Sequence, residues 1–208
     1  NMQYDNQLIL TGELNDVGTP VRRNVENSFR RGVEVVADWR IKERLSVYGT
    51  ATFSQNKIVD FIEEVAAYDA DFNFLGFERN NLGTTDISFS PALTASGQIS
   101  YAFVQTQNHV VEVGWQTNYV GEQFLDNTSS DDHKMDAYLV NDLRFTYTMK
   151  RLGLSELVFN VLINNVLDAV YVNNGYTYSY LFDSARLSEN FFYPQAGRNF
   201  MAGLTLFF

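Results

Sequence analysis

The stretch Leu93-Thr94-Ala95-Ser96-Gly97-Gln98-Ile99-Ser100-Tyr101-Ala102-Phe103 decides how this chain folds. Leu93, Ala95, Gly97, Ile99, Tyr101 and Phe103 fall on one side of it, and Thr94, Ser96, Gln98, Ser100 and Ala102 on the other. A period of two is that of a β-strand, whose side chains point alternately to opposite faces; a helix repeats about every 3.6 residues. Downstream the pattern returns at Val111, Val113, Trp115, Thr117 and Tyr119, set against Glu112, Gly114, Gln116 and Asn118. Leu143, Phe145, Tyr147 and Met149 oppose Asp142, Arg144, Thr146 and Thr148, and Leu157, Phe159, Val161 and Ile163 follow with Val158 and Leu162 as apolar interruptions. Upstream, Val33, Val35, Ala37, Trp39 and Ile41 alternate with Gly32, Glu34, Val36, Asp38 and Arg40, and Leu45, Val47, Gly49, Ala51 and Phe53 with Ser46, Tyr48, Thr50, Thr52 and Ser54. With an opening strand over Met2 to Thr11 and a closing one over Asn199 to Phe208, about eight strands are predicted.

The connections are of two kinds. Tight turns fall near Lys42-Glu43-Arg44, Gln105 to Asn108 and Arg151 to Ser155, and long excursions at 12–27, 62–86, 121–137 and 167–195. Short and long alternate strictly, which is the asymmetry of an outer-membrane barrel, with short periplasmic turns and long extracellular loops. A soluble β-sandwich also alternates apolar and polar positions, but its loops need not sort by length. The fold class predicted is therefore all-β, a transmembrane antiparallel β-barrel. Hydrocarbon offers no hydrogen bonds to a backbone, so such a sheet must close on itself. Eight strands suffice to close a small barrel, yet the length of the excursions favours a piece of a larger one.

Composition agrees. The 208 residues include 17 Phe and 12 Tyr against 3 Pro, a balance that suits pleated surfaces. The net charge of -10 excludes a nucleic-acid binder, which needs a basic face. With a mean hydropathy of -0.20, the chain carries no apolar run near the roughly 18 to 20 residues that cross a bilayer as a helix. Absence of Cys removes disulfides and thiolate metal sites and is neutral about compartment. The chain opens on Asn1-Met2-Gln3-Tyr4 without a basic and then apolar leader, so the reading expects its true beginning to lie upstream.

Candidate chemistry is sparse. His109 and His133 lack metal-ligand spacing to a second His or Cys. The run Asp126-Asn127-Thr128-Ser129-Ser130-Asp131-Asp132-His133 gathers oxygen ligands but lacks the glycine and closing glutamate of a calcium loop, and reads as a solvated loop. No nucleophile and base assemble, and no glycine loop cradles phosphate, so neither an enzyme nor a bound cofactor is expected. The excursions carry aromatic side chains suited to ligand contact, Phe72, Phe74 and Phe77 in one and Tyr176, Tyr178 and Tyr180 in another. Trp39, Trp115 and Tyr119 are expected near strand ends on the apolar face, as interface aromatics.

The closing Tyr193-Pro194-Gln195-Ala196-Gly197-Arg198-Asn199-Phe200-Met201-Ala202-Gly203-Leu204-Thr205-Leu206-Phe207-Phe208 resembles the last strand of TonB-dependent receptors. Asp5 to Gly12 with Asn24-Val25 and Ser28 to Glu34, Tyr119-Val120-Gly121 with Gln123 to Thr128, and Asn164 to Asp168 through Tyr171 are similar to further stretches of that family, particularly in Bacteroidetes-type bacteria. The resemblance covers essentially the whole chain. It implies that 1–208 is the C-terminal segment of a roughly 22-stranded barrel, with the plug domain and first strands upstream of Asn1. It implies residence in the outer membrane of a Gram-negative bacterium, in contact with lipid, and a terminal strand read by the barrel-assembly machinery through Phe200, Leu204, Leu206 and Phe208. It further implies TonB-driven uptake of a scarce small-molecule nutrient, a ferric siderophore first, then cobalamin or a glycan. A passive porin-like or small eight-stranded barrel is the alternative, and a soluble sandwich that mediates adhesion the third.

Overall fold

The computed structural model describes residues 1–150 and 155–208. Met2–Leu14 (β1), Pro20–Lys42 (β2) and Leu45–Val59 (β3) open the chain, followed by Ile62–Tyr68 (β4), Phe74–Asn81 (β5) and Thr85–Asp86 (β6). Leu93–Gln105 (β7), His109–Val120 (β8), Gln123–Phe124 (β9), Lys134–Met135 (β10) and Tyr138–Met149 (β11) form the middle. Glu156–Asn164 (β12), Val172–Phe182 (β13), Ala185–Pro194 (β14) and Asn199–Phe207 (β15) complete it. An antiparallel wall runs in the order β1-β2-β3-β7-β8-β11-β12-β15, with β6 added beside β3. The predicted strands are all present in it. The turn expected at Arg151 to Ser155 falls, Ser155 excepted, outside the described residues.

The register explains the alternation. Trp39 pairs with Val47, Val47 with Ile99, Ile99 with Trp115, Trp115 with Leu143, Leu143 with Ile163 and Ile163 with Phe200, so one apolar row crosses the wall. The row beside it is polar on the other face: Asp38 pairs with Tyr48, Tyr48 with Gln98, Gln98 with Gln116 and Gln116 with Asp142. The apolar row starts near the turn end of β2 and finishes near the loop end of β15, the shear that tilted strands of a barrel require.

Exposure is inverted relative to a soluble protein. Val33, Trp39, Ile99 and Phe103 are 63%, 65%, 51% and 57% exposed, whereas Ser100 and Ala102 on the opposite face are each 7% exposed. An outward belt of this kind far exceeds the apolar patches that water-soluble monomers carry and suits hydrocarbon. A sandwich would bury that face. Among the described residues the outer edges of β1 and β15 have no strand partner, so the wall is an open arc of a barrel.

The four long excursions carry strand structure of their own beyond the eight strands that the sequence predicts. Region 12–27 is a continuation of β1 and β2 beyond the apolar belt, closed by a turn in which the Asn15 side chain accepts from the Val17 and Thr19 amides at 3.1 and 2.8 Å. Regions 62–86 and 167–195 fold into hairpins that join as a second sheet, β14-β13-β4-β5, through parallel pairing of Tyr180 with Ala66 and Phe182 with Tyr68. Region 121–137 is held by the β9/β10 pair and a 3-10 turn at Asp131–His133. A small apolar core of Ile9, Val25, Ile58, Phe61 and Ile87 seals the junction between the wall and these segments.

Candidate functional site

The second sheet and the segment between β9 and β10 meet at the loop end of the wall. Asp126 organises that segment: its Oδ1 accepts from the Thr128 amide at 3.1 Å and the Thr128 hydroxyl at 2.7 Å. Its Oδ2 lies 2.7 Å from His133 Nδ1, and His133 is only 1% exposed. The other ring nitrogen of His133 reaches Ser179 of β13 at 3.4 Å, and Ser179 bonds Ser188 of β14 at 2.9 Å. Asn127 ties the segment to the wall, accepting from the Ser88 amide at 2.9 Å and donating to the Leu10 carbonyl at 2.6 Å. Reading Asp126 to His133 as a solvated loop is overturned: Asp126, Asn127 and His133 are buried as a connected polar lock.

Glycine makes room for the segment. Leu125 is 0% exposed and packs between Gly12 and Gly175. A Cβ on Gly12, whose φ is +95°, would lie 2.6 Å from the Leu125 carbonyl oxygen, and one on Gly175 would lie 2.9 Å from Leu125 Cδ2.

Beneath the second sheet is a polar cavity of about 80 Å³, lined by Glu13, Arg23, Glu63, Asp126, Thr177 and Ser179 among others. Arg186 donates to both oxygens of Glu63, at 2.8 and 2.6 Å, clamping β14 to β4. These bonds hold the Arg186 guanidinium above its usual pKa. Among the described residues no group of three or more His or acidic side chains converges as a metal site.

The upper face of the sheet is aromatic. Tyr68 stands at its centre, with ring centroids 6.5 Å from Phe72, 5.7 Å from Phe74 and 6.3 Å from Tyr180. Phe72 lies 4.5 Å from Phe182, and Phe74 5.3 Å from Phe77. Phe72, Phe74, Phe77 and Tyr180 are thus brought into one cluster from two excursions about 100 residues apart. Tyr176 and Tyr178 build a separate ladder with Phe191, and the Tyr178 hydroxyl donates to the Leu14 carbonyl at 2.9 Å. Tyr176 and Tyr193 also border a 390 Å³ cavity against the β1/β2 tip. Sequence reasoning missed Tyr68, Phe182, Phe191 and Tyr193. The recurrence of aromatics at Tyr176, Tyr178, Tyr180 and Phe182 is a period-two signal that identifies β13 as a strand.

The remaining candidates lie on the wall. Trp39 is near the turn end of β2 and Tyr119 at the loop end of β8. Trp115 sits mid-strand between Ile99 and Leu143, not near a strand end as the sequence suggested. Phe200, Leu204 and Leu206 line the outward face of β15, and Phe208 follows its last paired residue at the turn end.

A wall with an apolar outer face and a polar inner face, crowned at one end by a folded aromatic cover, defines a segment of a transmembrane β-barrel with an elaborated mouth. The chain belongs to the TonB-dependent receptor family: residues 1–174 match the family model described as TonB dependent receptor-like, beta-barrel. Solved structures carry the same fold. The ferric-catecholate import receptor Fiu from K12 E. coli, in its closed form, is 17% identical with a TM-score of 0.59, over 97% of this chain and 23% of its own. The siderophore receptor PiuA from Acinetobacter baumannii is 14% identical with a TM-score of 0.62, over 99% and 24%. The ferric yersiniabactin uptake receptor FyuA from Yersinia pestis is 15% identical with a TM-score of 0.54, over 88% and 24%. The chain spans about a quarter of the length of these receptors. No curated protein matches it.

Proposed function

We propose that this chain supplies part of the wall and of the extracellular mouth of an outer-membrane receptor that takes up a scarce small-molecule nutrient with energy passed from TonB. The observation that carries this reading is the folded cover: β14-β13-β4-β5 presents an aromatic face at the mouth and is locked to the wall through Asp126, Asn127 and His133. A channel for free diffusion has no use for such a cover, which favours capture over passive conduction. A ferric siderophore leads as substrate, in keeping with the siderophore receptors whose fold the chain shares, and cobalamin or a glycan follows. Phe72, Phe74, Phe77, Tyr176, Tyr178 and Tyr180 are the proposed contact residues. The protein acts as a receptor and not as a catalyst.

In the same reading the open edges of β1 and β15 are continued by further strands, and a plug inside the completed barrel carries the TonB contact. The row from Trp39 to Phe200 faces outer-membrane lipid, and β15 is the strand that the assembly machinery reads. Growth and labelled iron uptake under iron restriction, in cells with and without the receptor and with and without TonB, test the proposal. Loss of uptake in both deletions is expected. Unchanged uptake without the receptor, or uptake that survives removal of TonB, overturns it.

A further inference from the structure

Gly12-Glu13-Leu14 forms the joint at which the wall, the buried lock and the second sheet meet. On one side Gly12 lies so close to the lock that a Cβ on it would fall 2.8 Å from Asp126 Cβ. On the other, the Leu14 carbonyl accepts from the Tyr178 hydroxyl of β13 at 2.9 Å. Glu13 stands between these two contacts, beyond the apolar belt, and lines the same cavity as Asp126, Thr177 and Ser179.

The charged groups around that cavity are engaged except at Glu13. From β4, Glu63 is held by Arg186 of β14 and Glu64 by Arg79 of β5, each at 2.6 Å. In the lock, Asp126 is engaged by His133 Nδ1 at 2.7 Å, and Lys134 pairs with Asp131 at 3.1 Å and with Glu122 at 3.5 Å. Arg23 of β2 donates to the Ile62 carbonyl at 3.1 Å and lies over the Phe61 ring, so its charge acts on Glu13 only from a distance. Among the described residues Glu13 has no ion-pair partner. Withdrawal from water, and after it the charge of Asp126, raises the pKa of Glu13 above the ordinary carboxylate value, with Arg23 pulling the other way.

We infer that Glu13 is a proton-sensitive release in this joint: neutral, it lets the β1/β2 tip close on the lock and the second sheet; charged, it repels Asp126 and loosens both contacts. No particular ligand enters this device, which goes beyond the uptake reading. A carboxyl whose pKa is raised in the closed joint favours that joint while it holds its proton. The closed joint has that advantage in full below the ordinary carboxylate value and loses it as the pH rises through the raised one. Mild acid therefore firms the cover of the mouth, and alkaline conditions slacken it. β7 and β8, separated from β1 by β2 and β3, are unaffected.

Hydrogen exchange in the full receptor, purified in detergent micelles from outer membranes of its host, tests this from about pH 5 to about pH 8, with rates corrected for intrinsic exchange chemistry. The Leu125 and Ser88 amides, which donate to the His133 carbonyl at 2.8 Å and to Asn127 Oδ1 at 2.9 Å, report on the lock. Their protection is expected to fall severalfold as the pH rises, while that of amides in β7 and β8 holds. Glu13→Gln, which mimics the neutral form at every pH, should stay at the level that the unaltered receptor shows in acid. Flat protection in the unaltered receptor, a fall that persists in Glu13→Gln, or a flat Glu13→Gln held at the alkaline level, overturns the proposal. None of these results bears on the uptake reading, which growth and labelled iron decide.

Discussion

His133 Nδ1 and Asp126 Oδ2 lie 2.7 Å apart inside the mouth of the barrel, joining two ends of a segment that would otherwise be an unsupported loop. The pair gives that segment its fold. It closes a loop that places the Leu125 amide 2.8 Å from the His133 carbonyl and the Phe124 carbonyl 3.0 Å from the Phe89 amide. Removal of one member leaves the other buried without its partner, a cost of about 1–3 kcal/mol.

Asp126→Ala is therefore expected to loosen this segment and not the wall. Hydrogen exchange should accelerate at the amides of Leu125, Ser88 and Phe89, while amides of β7 and β8 keep their protection. Unchanged exchange at Leu125 would show that the histidine is held by packing alone.

A second expectation concerns Gly12. Its φ of +95° disfavours any side chain, and a Cβ would meet backbone at Leu125 and Asp126, which cannot swing aside. Gly12→Ala should cost about 1–3 kcal/mol. The strain falls on the contact between β1 and the 121–137 segment, so the readout is cleavage of that segment by protease added to intact cells. Gly18 has a positive φ as well, but a Cβ there meets nothing within 4 Å, which makes Gly18→Ala the control for backbone strain without collision. Equal protease sensitivity of the two variants would mean that close packing against Leu125 is unimportant.

The wall was legible in the sequence because lipid outside and water inside impose period two on each strand, from Val33 to Ile41 through to β15. Its extension was not. β2 begins at Pro20, and Ser28-Phe29-Arg30-Arg31 breaks the alternation because those residues lie beyond the apolar belt, where neither face must be greasy. The second sheet was hidden for a related reason: β4 sets Glu64 on the same face as Tyr68 and Glu63 on the same face as Val65, and β5 has a register irregularity opposite Ala67 and Tyr68, so hydrophobic alternation fades although the strands pair. The lock was illegible altogether. Asp126 and His133 are seven apart, a spacing with no meaning in helix or strand, and their burial depends on Gly12, Ser179 and Leu10, far away in sequence. The aromatic candidates fared differently, since exposed rings in excursions were noticed singly while the pairing of Tyr180 with Ala66 that gathers them was not readable.

Facing on the wall yields a third expectation. Ile99 sits between Val47 and Trp115 in the outward row, and Gln98 between Tyr48 and Gln116 in the inward one. Neighbours in sequence thus meet different solvents. Ile99→Arg should cost about 2–4 kcal/mol near the middle of the bilayer, whereas Gln98→Arg, which faces the aqueous side, should be close to neutral. Heat-modifiable mobility of the assembled barrel on gels, with receptor abundance in purified outer membranes, measures the difference. Equal tolerance of the two changes would reverse the assignment of faces.

The last expectation isolates assembly from recognition at Phe208. β15 pairs with β12 from Glu156 opposite Phe207 to Asn164 opposite Asn199, which puts Phe208 at the turn end of the wall. The mouth lies at the other end of the strand, about nine residues at roughly 3.3 Å each away, beyond reach of any ligand held there. Phe208 shares its side of the strand with Leu206, Leu204 and Phe200, and the free edge of β15 must find a partner strand before the wall can close. Burial of its ring in lipid contributes about 1.5–3 kcal/mol. Phe208→Asp should therefore lower the amount of receptor in the outer membrane severalfold while the affinity of the receptors that do assemble stays unchanged. Quantitative blotting of purified outer membranes, paired with ligand binding normalised to receptor amount, separates the two quantities. Normal abundance with weakened binding would mean that this end of the strand acts on the ligand and not on assembly.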